Sequence, residues 1–343
     1  MRITSFSSIR GKVLQASLGF AMVFALLPLA SADEAKHTAL ALPDTTLAFL
    51  GYYIAADNGL WAKQGLDVKE IEIRGVGAMN AVISGSVDFS LSSAPSITRA
   101  YVHGQKLVAL AAMLDESDDD VVIRKDIADA AHFDPTAPLA ERVQILKGRK
   151  IAAPGVAGIP DVVLRAVLAE GDLPSSAITL TPLAPPEFMA AFARKSIDGF
   201  VAGPPYPQEA VLAGTGVLVS DAGKGEPSKY SPITPALLIT RASFCAAHQA
   251  ICAAMVHGFV EATQFIHDHP KQSVAIMKAH FSQYDDKVLE ATYQLLRATT
   301  PIPPKTTVKD LEDGELMDIA AGLLDPSARL SDYAPLIDNE FVK

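Results

Sequence analysis

One segment of this chain is written twice. Met79, Ala81, Ser86, Asp88 and Pro95 recur as Met189, Ala191, Ser196, Asp198 and Pro205, each displaced by 110 positions, and Val87 is answered by Ile197. Each copy reads as a helix, a turn, a short apolar strand and a loop of small residues. A period of this length, seen only twice, excludes a solenoid, whose repeats run to roughly 20–50 residues. It predicts two lobes of like construction, and 343 residues are enough for two cores.

The pattern around the echo is α/β. From Thr38 onward, short apolar runs alternate with helical periods, as in proteins with largely parallel sheets. Strands are expected at Thr38–Leu42, Asp67–Ile73 and Leu107–Met113, and "VVIRKD" (Val121–Asp126) reads as the close of the first unit. The scheme restarts at "LKGRKIAAPGVAGIPD", with strands at Lys150–Ala153, Ala177–Thr181 and Asp198–Ala202. A last strand, Ala236–Thr240, precedes a tail that is helical over 243–269, 272–280, 286–299 and 308–324. With no third sheet to cover, that tail is expected to pack on the first lobe. The organisation is therefore a leader over 1–32, a discontinuous first lobe of 33–122 plus 232–343, and a second lobe of 123–231.

The leader follows from the first residues. Arg2, Arg10 and Lys12 precede the apolar run Leu18–Ala30, and Ala30-Ser31-Ala32 has the small-residue form of a cleavage site, so cleavage is expected after Ala32. The run is too short to span a bilayer, which takes about 20 apolar residues. The chain carries a net charge of −10, more negative still without the three leader cations, which argues against nucleic acid or an anionic membrane surface as partner. Of its two cysteines, Cys245 and Cys252, a straight helix would hold the Cα atoms about 10.5 Å apart, too far for a disulfide. A bend near His248-Gln249 would permit the bridge, which an exported compartment favours; otherwise both are buried thiols.

Ligands of open α/β sheets sit at the carboxyl ends of the strands, where loops offer backbone amides. Here those loops are 43–47, 74–78, 92–96, 154–161 and 202–206, rich in Gly, Ser, Thr and Pro. None of the eight histidines and neither cysteine falls in them. Acid–base or nucleophilic catalysis would need a tunable group with its orienting partner, so no catalytic residue, metal or cofactor is expected. Arg74, at a strand end, is a candidate anion partner. Gly75-Val76-Gly77 lacks the third glycine of a dinucleotide fingerprint. The acidic run "DESDDD" (Asp115–Asp120) lacks the spacing of a calcium loop and reads as a solvated turn, and Asp88 and Asp198 read as structural carboxylates.

The chain resembles the solute-binding proteins of the nitrate/sulfonate/taurine branch of ABC importers. The resemblance is carried, in order, by "YYIAADNGLWAKQGLDVKEIEIRG", "AVISGSVDFSLSSAPS", "LKGRKIAAPGVAGIPDVVLRAVLAEGDL" and "FMAAFARKSIDGFVAGPPYP". It implies a type II periplasmic binding protein fold of two α/β lobes joined by a two-segment hinge, with the helical C-terminal tail on the first lobe. It further implies a monomer in the periplasm that captures a small anionic solute, sulfonate-, nitrate- or taurine-like or a small aromatic acid, and delivers it to permease and ATPase subunits. By position, the family's ligand-contacting loops fall on Thr45, Thr46, Gly77, Ser92, Ser93, Gly155, Val156, Ala157, Pro205 and Tyr206. Val156-Ala157-Gly158 and Gly203-Pro204 depart from the hydroxyl-rich and acidic forms common in relatives, so an apolar body with one polar head fits as well. The competing readings are a protein of the same superfamily that binds, or acts as an enzyme on, a pyrimidine or thiamine precursor, and a periplasmic ligand sensor.

Overall fold

The structure, a computed structural model, describes residues 36–342; the expected leader and its cleavage after Ala32 lie outside the described residues. Two five-stranded sheets are present. The first contains β1 (Lys36–Leu42), β2 (Leu66–Glu72), β3 (Phe89–Ser92), β4 (Leu107–Leu114) and the late strand β10 (Ala236–Arg241), ordered β2-β1-β3-β10-β4. The second contains β5 (Asp120–Arg124), β6 (Lys150–Ala153), β7 (Thr179–Pro182), β8 (Gly199–Ala202) and β9 (Gly216–Ser220), ordered β7-β6-β8-β5-β9. Both orders follow one scheme. Three parallel strands are followed by the one strand that arrives from the other sheet, β10 or β5, and that strand pairs antiparallel with both neighbours.

The sequence echo has a local physical cause. In each copy the turn after the helix is closed by a serine amide, Ser86 N donating to Ala81 O at 2.9 Å and Ser196 N to Ala191 O at 3.0 Å. The next aspartate then ties the third of its sheet's three parallel strands, in chain order, to the first. Asp88 Oδ2 accepts from Ala39 N at 3.2 Å, and Asp198 Oδ2 accepts from Lys150 N at 2.9 Å. An arginine from the end of the antiparallel strand completes each corner, Arg241 donating to Val87 O at 3.1 Å and Arg124 to Ile197 O at 2.8 Å. Both aspartates are therefore structural.

The first crossing between sheets differs from expectation. The segment "VVIRKD" (Val121–Asp126) reads as the close of the first unit, with the boundary at 122/123, yet β5 lies wholly in the second sheet between β8 and β9. The chain crosses at 115–119, and returns between β9 and β10 over 221–235. An apolar run carries no mark of which sheet will accept its hydrogen bonds, so the boundary was invisible in the residues alone.

The tail covers the first sheet and reaches further. The helices Gln249–Asp268 and Pro270–His280 pack against the helix Leu50–Asp57. Trp61 donates to Met255 O at 3.1 Å, and only a glycine at 258 leaves room for the ring, because a Cβ there would lie 2.2 Å from Trp61 Cδ1. The helix expected over 243–269 breaks at His248 into Ala242–Ala247 and Gln249–Asp268. That break brings the Cα atoms of Cys245 and Cys252 to 5.8 Å, joined by a disulfide. The helix Val308–Ala320 packs on Ala94–Val102 of the first lobe and also on Ile159–Glu170 of the second, where Met317 and Ala321 join the apolar core. Among the described residues no helix is long and apolar enough to cross a membrane.

Candidate ligand-binding cleft

A cavity of about 100 Å³ lies at the carboxyl ends of the parallel strands, walled by loops from both sheets. Loops following β1, β3, β6 and β8 supply Pro43 and Asp44, Ser93, Pro154 and Gly155, and Gly203. Placement there follows from the sheet topology, since successive strands with opposed crossovers open a crevice at that edge. The size suits a small solute rather than a drug-sized one, which takes roughly 300–1,000 Å³.

Hydrogen bonds join the lobes across this crevice. Leu47 N and Thr46 Oγ1 both donate to Pro204 O, at 3.1 and 2.8 Å, and Tyr206 Oη donates to Thr45 O at 3.0 Å. On the other flank Arg99 Nη2 donates to Ala157 O at 2.7 Å while its second nitrogen pairs with the buried Asp318. Tyr206 is held from behind by the rings of Phe188 and Tyr284, with centroids at 5.9 and 6.2 Å.

Of the residues proposed from sequence, Thr46, Ser92, Ser93, Gly155 and Tyr206 stand on the cavity wall. Ser93 caps the helix Ala94–Val102, its Oγ accepting from Ser96 N at 3.4 Å. Thr45, Gly77, Val156, Ala157 and Pro205 adjoin the wall without forming it. Thr45 contributes its carbonyl to the lobe contact, Ala157 adopts a left-handed φ of 59° that turns its amide to Asp161, and Val156 is 53% exposed. Arg74 lies outside the cavity, exposed and beside Glu72 at 3.4 Å.

Two acidic wall residues stand where the sequence reads a solvated turn. The run 115–120, expected to be solvated, is buried from Ser117 to Asp120, because it is the strand-to-strand crossing and passes between the lobes. Asp118 and Asp119 line the cavity, as Asp44 does. The six polar residues between the apolar runs "LVALAAML" and "VVI" read locally as a solvated turn, and only the course of the chain buries them.

Burial dominates the electrostatics. It raises the Asp118 carboxyl to about 7 against the opposing pull of its own amide, and raises Asp44 to about 6 against the Thr45 amide and Arg74. Asp119 is pushed well up by burial and then by its neighbours Asp118, Asp120 and Asp44. Asp120, behind the wall, reaches about 8, held down in part by the Ala222 amide at 2.8 Å. Among the described residues no Lys, Arg or His lines the cavity to offset these groups. Its remaining wall is mostly apolar, including Phe49, Met79, Leu91 and Ile159.

Residues 45–280 match the model of the NMT1-like family. No curated protein matches the chain in sequence. Among solved structures, a protein from Bordetella bronchiseptica superposes with a TM-score of 0.79 at 20% identity, covering 90% of this chain and 96% of its own. The alkanesulfonate-binding protein SsuA from Xanthomonas axonopodis pv. citri, bound to MOPS, gives 0.68 at 18% identity, over 89% of this chain and 99% of that one. A Candida albicans protein described as having the generic periplasmic binding protein structural fold gives 0.64 at 10% identity, over 88% and 96%. The two sheets, their crossings and these likenesses together define a periplasmic binding protein fold.

Proposed function

The chain belongs to the NMT1-like family, and from that premise we propose that it is the solute-binding component of an ABC importer, exported to the periplasm as a monomer. One observation carries the reading. Two lobes joined by two chain crossings meet across a cavity whose wall both supply, and the contacts that hold them together, through Thr45, Thr46, Leu47, Pro204 and Tyr206, sit at the cavity's rim. Such an arrangement encloses a solute by closure and releases it by opening, and it presents a different surface to a permease in each state. The boundaries of the lobes are proposed at the crossings 115–119 and 221–235. On this reading Thr46, Ser92, Ser93, Gly155 and Tyr206 contact the solute, with Thr45, Gly77, Val156, Ala157 and Pro205 shaping the loops that present them.

Structural relatives are named for alkanesulfonate and, in a Synechocystis protein, nitrate binding. An anionic head group of that kind draws no support from the wall of this cavity, which offers carboxyls and no cation. Binding to the folded state stabilises it by RT ln(1 + [L]/Kd), about 2.7 kcal/mol at 100 times Kd. The test is thermal melting of the mature protein with the small-molecule fraction of a cell extract. A raised melting temperature, with the bound compound recovered unchanged, is the expected result; no shift from any fraction overturns solute capture. One observation favours a second reading. The carboxyl of Asp118, near 7, is what a general acid or base at neutral pH requires, and conversion of the recovered compound would establish catalysis instead.

A further inference from the structure

The cavity's charge points to its occupant. Asp118 is 2% exposed and lines the cavity, yet its Oδ2 is buried with no hydrogen-bond partner among the described residues. Burial of a carboxyl oxygen without a partner is costly, and the large majority of buried side-chain polar atoms in native proteins have one. Gly203, on the cavity wall, stands where a Cβ would lie 3.2 Å from Asp118 Oδ2 and 3.5 Å from Thr46 Oγ1, so a side chain there would crowd both. Asp119 and Asp44 line the same space, and among the described residues no side chain of opposite charge does.

We propose that the solute carries a positively charged N–H head group, a primary ammonium or an amidinium, which donates to Asp118 Oδ2 and Thr46 Oγ1 while its apolar body rests against Phe49, Met79 and Tyr206. This deepens the solute-capture reading and rests on it. Charge-assisted N–H···O⁻ bonds are the strong ones, and a cation entering a dry pocket of carboxyls restores the ionisation that burial opposes. An organic cation fits better than a metal ion, because among the described residues no group of three or more His, Cys, Asp or Glu side chains is placed to hold one. The apolar majority of the wall asks for a hydrocarbon or aromatic body.

The test uses probes matched in shape and opposite in charge: benzamidinium against benzoate, and butylammonium against butanesulfonate, read by thermal melting and calorimetry on the full mature protein. The proposal expects a cation to bind and its anionic counterpart not to. Asp118→Asn should weaken the cation more than tenfold with circular dichroism and cooperative melting retained, and Gly203→Ala should weaken it by crowding Asp118 Oδ2 and Thr46 Oγ1 without touching charge. Binding of the anions alone overturns the cationic head group and leaves solute capture standing. Extract fractions separated by charge extend the comparison: stabilisation only by the anionic or neutral pool likewise overturns this inference, whereas inertness of every probe and pool removes the solute-capture reading itself.

Discussion

At the scale of single residues, the carboxyls of the first crossing set the protein's response to pH. Asp118 and Asp120 hold their protons more tightly when folded, near 7 and 8, than in the unfolded chain, near 3.8. The folded state therefore binds more protons than the unfolded one between those values, and stability falls as pH rises through that window. The unliganded protein should melt at a higher temperature at pH 5 than at pH 8, and Asp118→Asn should flatten the slope and raise the melting temperature at pH 8, by several degrees if a few kcal/mol are relieved. A melting temperature that climbs toward pH 8 in the wild type would refute this. Residue types also explain what was and was not legible. Hydroxyls and glycines at strand ends announced Thr46, Ser92, Ser93 and Gly155, since the choice of small residues there is local. Asp118 and Asp119 looked like solvated acids, since a charge run is normally exposed and only the course of the chain buries it.

Elements carry the next set of outcomes. The helix Gln249–Asp268 meets Trp61, the chain's one tryptophan, at Gly258, so Gly258→Ala should cost about 1–3 kcal/mol through overpacking and change the Trp61 emission in the native state. The Cys245–Cys252 bridge closes a short loop at the start of the same helix. Reduction should lower stability by about 2 kcal/mol on the chain-entropy model, read as a fall in melting temperature with dithiothreitol. The helix Val308–Ala320 sets Asp318 against Arg99, with Asp318 raised to about 6 mainly by burial and held back by the guanidinium. Arg99→Ala leaves that carboxylate buried without its partner, a loss of about 3–5 kcal/mol, most of it restored when Asp318→Leu is added. Equal melting temperatures for the single and double variants would show the pair to be unimportant.

For the whole molecule, the quantity that the proposed solute capture turns on is the balance between separated and joined lobes. Tyr206 and Thr45 contribute one of few direct bonds across the rim, worth about 1 kcal/mol net. Tyr206→Phe should shift the ligand-free population toward the open form by roughly fivefold, seen as a larger radius of gyration in small-angle scattering, with the difference shrinking once solute is bound. The helix Val308–Ala320 packs on both lobes. An unchanged radius in the variant would mean that the rim bonds do not govern opening.

The sequence alone determined that there are two similar α/β units, because strand and helix periods, capping turns and the aspartate of each echo are short-range matters settled within a few residues. It also determined which loops bring small residues to the strand ends. Only the tertiary structure decided that β5 belongs to the second sheet, that a tail helix touches both lobes, and that an acidic run is buried in the cleft. Those outcomes depend on contacts between residues far apart in the chain, and the cost of burying a carboxyl is set by what surrounds it in space, which no local pattern encodes.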